Sequence, residues 1–292
     1  MMRRFLYTIC LLLGLEQVVS AQMQREFLNV RYGERRAELT EADTNQDRLL
    51  DIYLPNAEKP VQGYPVIMFI HGGGFRDGGK GMRGGVHGIF QGFLDEGYAV
   101  VSINYRLLRN RDRQGDSGRG RGHRAPRGPR HTPDRNDSTG RSFSPEINAA
   151  TDEAAADATL ALKWLNSNGS SYGLDLSRLF LAGGSAGSIT ALYTAFVTAP
   201  KEPKIQAVIN FWGGIRDTSL IQNPAIPVLT IHGDRDMTVN VNYGLNIQQR
   251  LEHLDSKLSR IIVLEGRGHA QYQYVGDFLM PEIFSFLHNI DN

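Results

Sequence analysis

The 292-residue sequence contains one cysteine, Cys10. A disulfide within the chain is therefore excluded, as is a zinc site built on thiolates, and stability has to come from a packed core. Charge of one sign is not in excess either: 32 Lys and Arg stand against 31 Asp and Glu, a formal net charge of +1. Residues 1–21 carry Arg3, Arg4 and Glu16, so the remainder of the chain is close to neutral. No global field draws this protein to a polyanion, which argues against nucleic acid as a partner. Long hydrophobic runs are missing too. FLYTICLLLGL, from Phe5 to Leu15, falls well short of the roughly 20 apolar residues that span a bilayer, and nothing later is long enough. The phosphate-cradling pattern G-x-x-x-x-G-K-[ST] is absent, and no internal repeat is evident.

What is present at the start reads as a signal peptide over residues 1–21. Arg3 and Arg4 form its basic end, Phe5 to Leu15 its apolar segment, and Val19-Ser20-Ala21 a small-residue cleavage signal before Gln22. The expected destination is the periplasm or the external medium. Cys10 lies inside the apolar segment, which argues against its lipidation. With 41% hydrophobic and 22% charged residues, the chain has an ordinary globular composition.

From Tyr64 onward short apolar runs alternate with helical patterns. The expected strands are residues 65–70, 99–105, 178–184, 206–212, 227–232 and 260–266. Helices are expected near 145–166, 186–198, 241–254 and 280–290. The strands lack period-2 alternation, which implies burial on both faces and an α/β fold: a mostly parallel central sheet covered by helices on both sides. FLNVRYG and LLDIYLP add two strands, expected as an antiparallel hairpin at the edge. The helix from Pro145 starts at a Ser144 cap and carries a seam of small residues, Ala150, Ala154 and Ala158, that lets it lie close to the sheet. One domain is expected over residues 22–292. It is broken at about 109–141 by a segment with ten Arg, four Asp and no apolar period, expected to be a solvated, disordered insertion.

Gly183-Gly184-Ser185-Ala186-Gly187 fits G-x-S-x-G, a pattern too short to carry weight alone. Its context strengthens it, because the buried strand RLFLAGG precedes the serine and a helical pattern follows at once, as a nucleophile elbow requires. His71-Gly72-Gly73-Gly74-Phe75 directly follows another buried strand. Acyl transfer places negative charge on an oxygen that must meet fixed N–H donors, and backbone can approach that closely only where side chains are absent. Gly73, Gly74 and Ala186 are accordingly expected to supply an oxyanion hole, with His71 bracing the loop.

A serine hydroxyl needs a histidine to take its proton, and the histidine needs a carboxylate to orient it. His269, in the loop EGRGHAQ after the last expected strand, is best placed. His253 and His288 fall on expected helices, His123 and His131 in the insertion, and His87 in a glycine loop. The acid comes from the loop of PVLTIHGDRDMTV, where Asp234 and Asp236 are barely separable by sequence. Asp234 follows Gly233 and is the natural turn former, which leaves Asp236 to face His269.

From about Leu50 onward, LLDIYLP, IHGGGF, INYRL, YGLDLSRLFLAGGSAGS, IPVLTIHGDRDMTV and GRGH together resemble the α/β-hydrolase superfamily. The likeness is to its secreted branch of carboxylesterases and acetyl-xylan or feruloyl esterases, related to the hormone-sensitive-lipase group. That resemblance implies an α/β-hydrolase fold, a Ser185–His269–Asp236 triad with Asp236 as the acid, and Gly73, Gly74 and Ala186 as oxyanion donors. Gly184 departs from the acidic residue that the hormone-sensitive-lipase group usually has before the serine.

The expected activity is hydrolysis of short-chain carboxylic esters, free or linked to a polymer, through an acyl-enzyme and without metal or organic cofactor. The competing readings are an arylformamidase-like amidase and a non-catalytic binding protein on the same fold. Phe75 and Trp212 are candidate pocket residues, and Tyr272 and Tyr274 candidate rim residues.

Overall fold

Strands that are apolar on both sides need cover on both sides, and the chain meets this with one sheet between two helical layers. The computed structural model describes residues 25–37, 48–82, 84–108 and 143–291. The expected leader and the expected insertion at about 109–141, with Cys10, His123 and His131, lie outside the described residues.

The strands are β1 (Glu26–Arg31), β2 (Leu49–Tyr53), β3 (Tyr64–Ile70), β4 (Ala99–Ile103), β5 (Leu174–Gly184), β6 (Ile205–Phe211), β7 (Val228–Gly233) and β8 (Arg260–Leu264). They form a single sheet in the order β1-β2-β4-β3-β5-β6-β7-β8. The pairs β1/β2 and β2/β4 are antiparallel, and all others are parallel. The N-terminal hairpin thus lies at the edge, as its sequence suggests. From β3 the chain proceeds to β4 on one side and then crosses back to β5 on the other, which opens a crevice at the carboxyl ends of β3 and β5.

Helices α1 (Val86–Asp95), α2 (Pro145–Asn168), α3 (Ala186–Tyr193), α4 (Asn242–His253), α5 (Tyr272–Phe278) and α6 (Met280–Asp291) cover the sheet. Alternate strand residues feed two cores. Val66, Met68, Ile70, Leu179 and Leu181 pack with the Ala150, Ala154, Ala158 and Leu162 stripe of α2 and with Leu192 of α3. Ile67, Phe69, Phe180 and Ile209 face the other way, against Phe90 and Phe93 of α1 and Phe286 of α6. Each of the Val, Leu, Ile, Met and Phe side chains contributes roughly 1.5–3 kcal/mol by leaving water.

Ser144 caps α2 by accepting the Ile147 amide at 3.3 Å, with Pro145 in the first turn. Midway along the same helix Asp157 is buried, neutralised by Arg48 at 3.3 Å and Arg36 at 3.7 Å, and accepts the Arg106 amide at 2.9 Å. That carboxylate ties the segment after β4 to the helix.

Two helices differ from the sequence expectation. Residues 86–95, given no helix from sequence and with His87 read as lying in a glycine loop, form α1, and His87 sits exposed on it. The glycines reflect close packing rather than a turn: a β-carbon on Gly276 of α5 would stand 3.2 Å from the Gly88 carbonyl carbon, and one on Gly92 would meet Met280 at 2.8 Å. Residues 272–278 form α5, too short to show a helical period in sequence.

Candidate active site

Ser185 stands between the end of β5 and the start of α3 with φ 56° and ψ −122°, a backbone conformation that costs about 1–3 kcal/mol and persists only where the surroundings impose it. They do so from three sides. The Ser185 amide donates to the Phe211 carbonyl at 2.9 Å. Ser188, fully buried one turn into α3, donates its hydroxyl to the Gly183 carbonyl and accepts the Phe211 amide at 2.9 Å. Gly187 lies so near the end of β3 that a β-carbon there would stand 2.0 Å from the Ile70 carbonyl oxygen.

His269, in the loop after β8, brings its Nε2 to 2.9 Å from the Ser185 hydroxyl and its Nδ1 to 2.6 Å from Asp236 Oδ2. A carboxylate can only accept here, so Nδ1 carries a proton and Nε2 is left to accept the serine proton. Asp236, in the loop after β7, is buried, and its Oδ1 accepts the amides of Thr238 at 2.8 Å and Val239 at 3.0 Å. Burial by itself would raise this carboxyl. Hydrogen bonds from His232 and His269, electrostatic attraction to His269 and the Val239 amide outweigh it and hold the group well below the usual carboxylate range.

The structure thus brings Ser185, Asp236 and His269 into one hydrogen-bonded line. Asp234 is exposed and makes no contact with His269. The reason offered from sequence is reversed, however, because it is Asp236 that caps the local turn amides while also facing the imidazole.

The glycine loop after β3 supplies the other side of the site. Gly73 has φ 114°, and a β-carbon on it would stand 1.9 Å from the Asp77 carbonyl oxygen. Its own carbonyl closes the loop by accepting the amides of Arg76 and Asp77, both at 3.1 Å. Among the described residues the amides of Gly73, Gly74 and Ala186 make no hydrogen bond, so all three are available to an incoming oxyanion. His71 braces the loop as expected: Nδ1 donates to the Gly72 carbonyl at 2.7 Å, and the ring stacks on Tyr105 at 4.4 Å. Burial pushes its pKa down to about 4, so it is a neutral strut.

Ser185, His269 and the glycine loop open on a cleft of about 1180 Å³. Trp212 and Tyr272 line it, but Phe75 does not: that ring is buried in the core against Tyr105. Tyr274 also stays out of the cleft, carrying the Arg267 guanidinium on its face at 3.6 Å. The far wall comes from the edge hairpin, where buried Lys80 bridges Asp51 at 2.6 Å and Asn29 at 2.8 Å. Among the described residues no group of three or more His, Cys, Asp or Glu is arranged to hold a metal ion, and no helix is long and apolar enough to cross a membrane.

Sequence reasoning passed over His232. It is fully buried on β7, donates Nε2–H to the Val239 carbonyl at 2.9 Å and stands 3.4 Å from Asp236 Oδ2. The available signal was the four-residue spacing between His232 and Asp236 across a tight turn.

A BD-FAE family model matches residues 50–113, and a model described as alpha/beta hydrolase fold matches residues 144–249. The chain is 23% identical to the esterase LipC of Mycobacterium tuberculosis (strain ATCC 25618 / H37Rv) over 285 residues. That match covers 82% of this chain, which spans 60% of the length of that curated relative. Among solved structures it is similar to a truncated carbohydrate esterase from gut microbiota, with TM-score 0.62, 17% identity, and coverage of 91% of this chain and 96% of that one. It is also similar to a propionate-bound esterase of the Planctomycetes species Thermogutta terrifontis, with TM-score 0.62, 16% identity, and coverage of 91% and 94%.

Proposed function

We propose that this chain, an α/β-hydrolase by fold, is a serine carboxylic ester hydrolase acting on short-chain acyl esters through an acyl-enzyme. The observation that carries this is the hydrogen-bonded line Ser185–His269–Asp236, at 2.9 and 2.6 Å, opening on the same cleft as the uncommitted amides of the glycine loop. Ser185 Oγ attacks the ester carbonyl while His269 Nε2 takes its proton, and Asp236 steadies the imidazolium that forms. The carbonyl oxygen, now negative, rests against the amides of Gly73, Gly74 and Ala186. When the intermediate collapses, the alcohol leaves with the proton held by His269. Water, activated by the same imidazole, then releases the acid.

The cleft wall mixes polar side chains, Asn29, Asp51, Asp77, Lys80 and Thr238, with apolar ones, Leu28, Met82, Val86, Trp212 and Tyr272, so the short-chain part of the proposal is what the ester series below tests. The esterase names of the similar proteins support the ester reading itself. The proposal includes export, with residues 1–21 removed before Gln22; the mass of the secreted protein reads this directly.

The test is hydrolysis of p-nitrophenyl esters from acetate to palmitate, alongside labelling by a serine-reactive phosphonate. Expected are turnover that declines with chain length and covalent labelling, both lost in Ser185→Ala. A folded protein that neither turns over nor labels would sink the proposal, and turnover of matched amides in preference to esters would redirect it to an amidase.

A further inference from the structure

The residue before the nucleophile has no side chain, and a different part of the fold fills the space one would take. A β-carbon on Gly184 would stand 1.9 Å from the Tyr272 hydroxyl and 2.6 Å from its Cζ. The same hydroxyl lies 3.4 Å from the place of a β-carbon on Gly72. Tyr272 is the first residue of α5, three positions past His269, and its ring stands edge-on to Trp212 at 4.7 Å and 83°. The phenol is therefore wedged where the elbow, the glycine loop and the loop bearing the imidazole meet, and it lines the cleft with Ser185 and His269.

Hydrogen-bond bookkeeping gives this hydroxyl a direction. The buried Trp212 indole N–H completes no hydrogen bond among the described residues. The group it approaches is the Tyr272 oxygen, whose ionisation it favours while burial opposes it and pushes the phenol up to about 12. An indole N–H only donates, so any hydrogen bond between the two would use a lone pair of the phenol oxygen and leave the phenol its own proton to give elsewhere. No acceptor for that proton is found among the described residues. A neutral hydroxyl with a proton left to give thus stands where the elbow meets the glycine loop, on a residue that lines the cleft with Ser185 and His269.

We infer that Tyr272 is a further catalytic residue, whose hydroxyl donates a hydrogen bond to the alcohol oxygen of the ester held at Ser185. The inference rests on the esterase reading. As the tetrahedral intermediate collapses, the bond between the acyl carbon and the alcohol oxygen breaks and its electron pair moves to that oxygen. His269 supplies the proton, and Tyr272 shares the developing charge without losing its own proton. The help matters most when the alcohol is a poor leaving group and little when it departs readily as a phenolate.

Tyr272→Phe keeps the ring and removes only the hydroxyl, so its thermal midpoint is expected close to that of the unaltered protein. The kinetic test is kcat/KM for acetate esters whose leaving groups run from p-nitrophenol to simple alkyl alcohols. We expect a loss of about tenfold on alkyl acetates, the worth of one hydrogen bond, and less than about twofold on p-nitrophenyl acetate. Equal losses across the series would make Tyr272 a packing residue and overturn the inference, and unchanged rates throughout would do the same. Failure of the esterase reading looks different: the unaltered protein would hydrolyse none of the esters and take up no phosphonate.

Discussion

The two sides of the cleft are built from different materials. Around the crevice between β3 and β5, backbone does the work: the amides of Gly73, Gly74 and Ala186 have no hydrogen-bond partner among the described residues, and Ser185 is held at a positive φ by neighbours that leave no room for side chains. Over β7 and β8 the site is made of side chains, with Asp236, His232 and His269 reaching one another across loops. On the backbone side an atom added at Gly73, Gly183 or Gly187 collides with main chain. The side-chain side is tuned by hydrogen bonds, each replaceable in kind. Damage to the first is expected to register in folding, and damage to the second in rate.

Substitutions sharpen this contrast. The largest effect is expected from Ser185→Ala or His269→Ala, each lowering kcat on the order of 10⁶-fold with the thermal midpoint nearly unchanged. The double variant should be no worse than either single one, because the pair acts as a unit, and single-turnover kinetics would show any additivity. Gly187→Ala attacks the opposite side without touching a catalytic side chain. Its methyl would lie 2.0 Å from the Ile70 carbonyl oxygen, so about 3 kcal/mol of stability should be lost in a urea titration, with activity falling alongside. Gly74→Ala serves as its control: a β-carbon there meets nothing within 4 Å, and only the φ of 61° penalises it, by about 1–2 kcal/mol.

His71 joins the two behaviours. Its pKa is lowered from 6.5 to about 4 in the fold, so between those values the unfolded chain binds the proton and the native one does not. Stability is therefore expected to fall as pH drops from 6.5 to 4, by on the order of 3 kcal/mol, and His71→Gln should flatten that part of a melting-temperature profile. The smallest effect is expected at His232, where His232→Leu leaves the Val239 carbonyl unpaired and takes a donor from Asp236. A loss of about 1–2 kcal/mol in stability, with a few-fold fall in kcat/KM, would match a supporting role. A fall as large as that of His269→Ala would place His232 in the chemistry itself.

The backbone side was legible in sequence because its requirements are local. A buried strand, a serine flanked by glycines and a helix start all lie between Arg178 and Thr198, and the glycine loop follows its own strand at once. The edge hairpin and the mostly parallel sheet were legible as well, but the strand order at the crevice, β4-β3-β5, came only from the structure. Where reading failed, the controlling contact was distant. The glycines of α1 resembled a loop because their purpose, close approach by α5 and Met280, is set by residues near the other end of the chain. Phe75 looked like a pocket wall since it follows a strand end, yet its positive φ of 61° turns the ring into the core.

The sequence by itself determined the architecture, the elbow, the glycine loop and the residue types able to form a triad. Those depend on periodicity, on steric freedom at glycine and on chain order. Only the tertiary structure decided that Asp236 caps its turn while meeting His269, that His232 supports it and that Tyr272 stands in for the side chain Gly184 lacks. Each of these depends on separate loops meeting above the sheet: His269 reaches a serine 84 positions earlier and an aspartate 33 positions earlier. A hydrogen bond holds only over a few tenths of an ångström, and strand packing sets distances that fine.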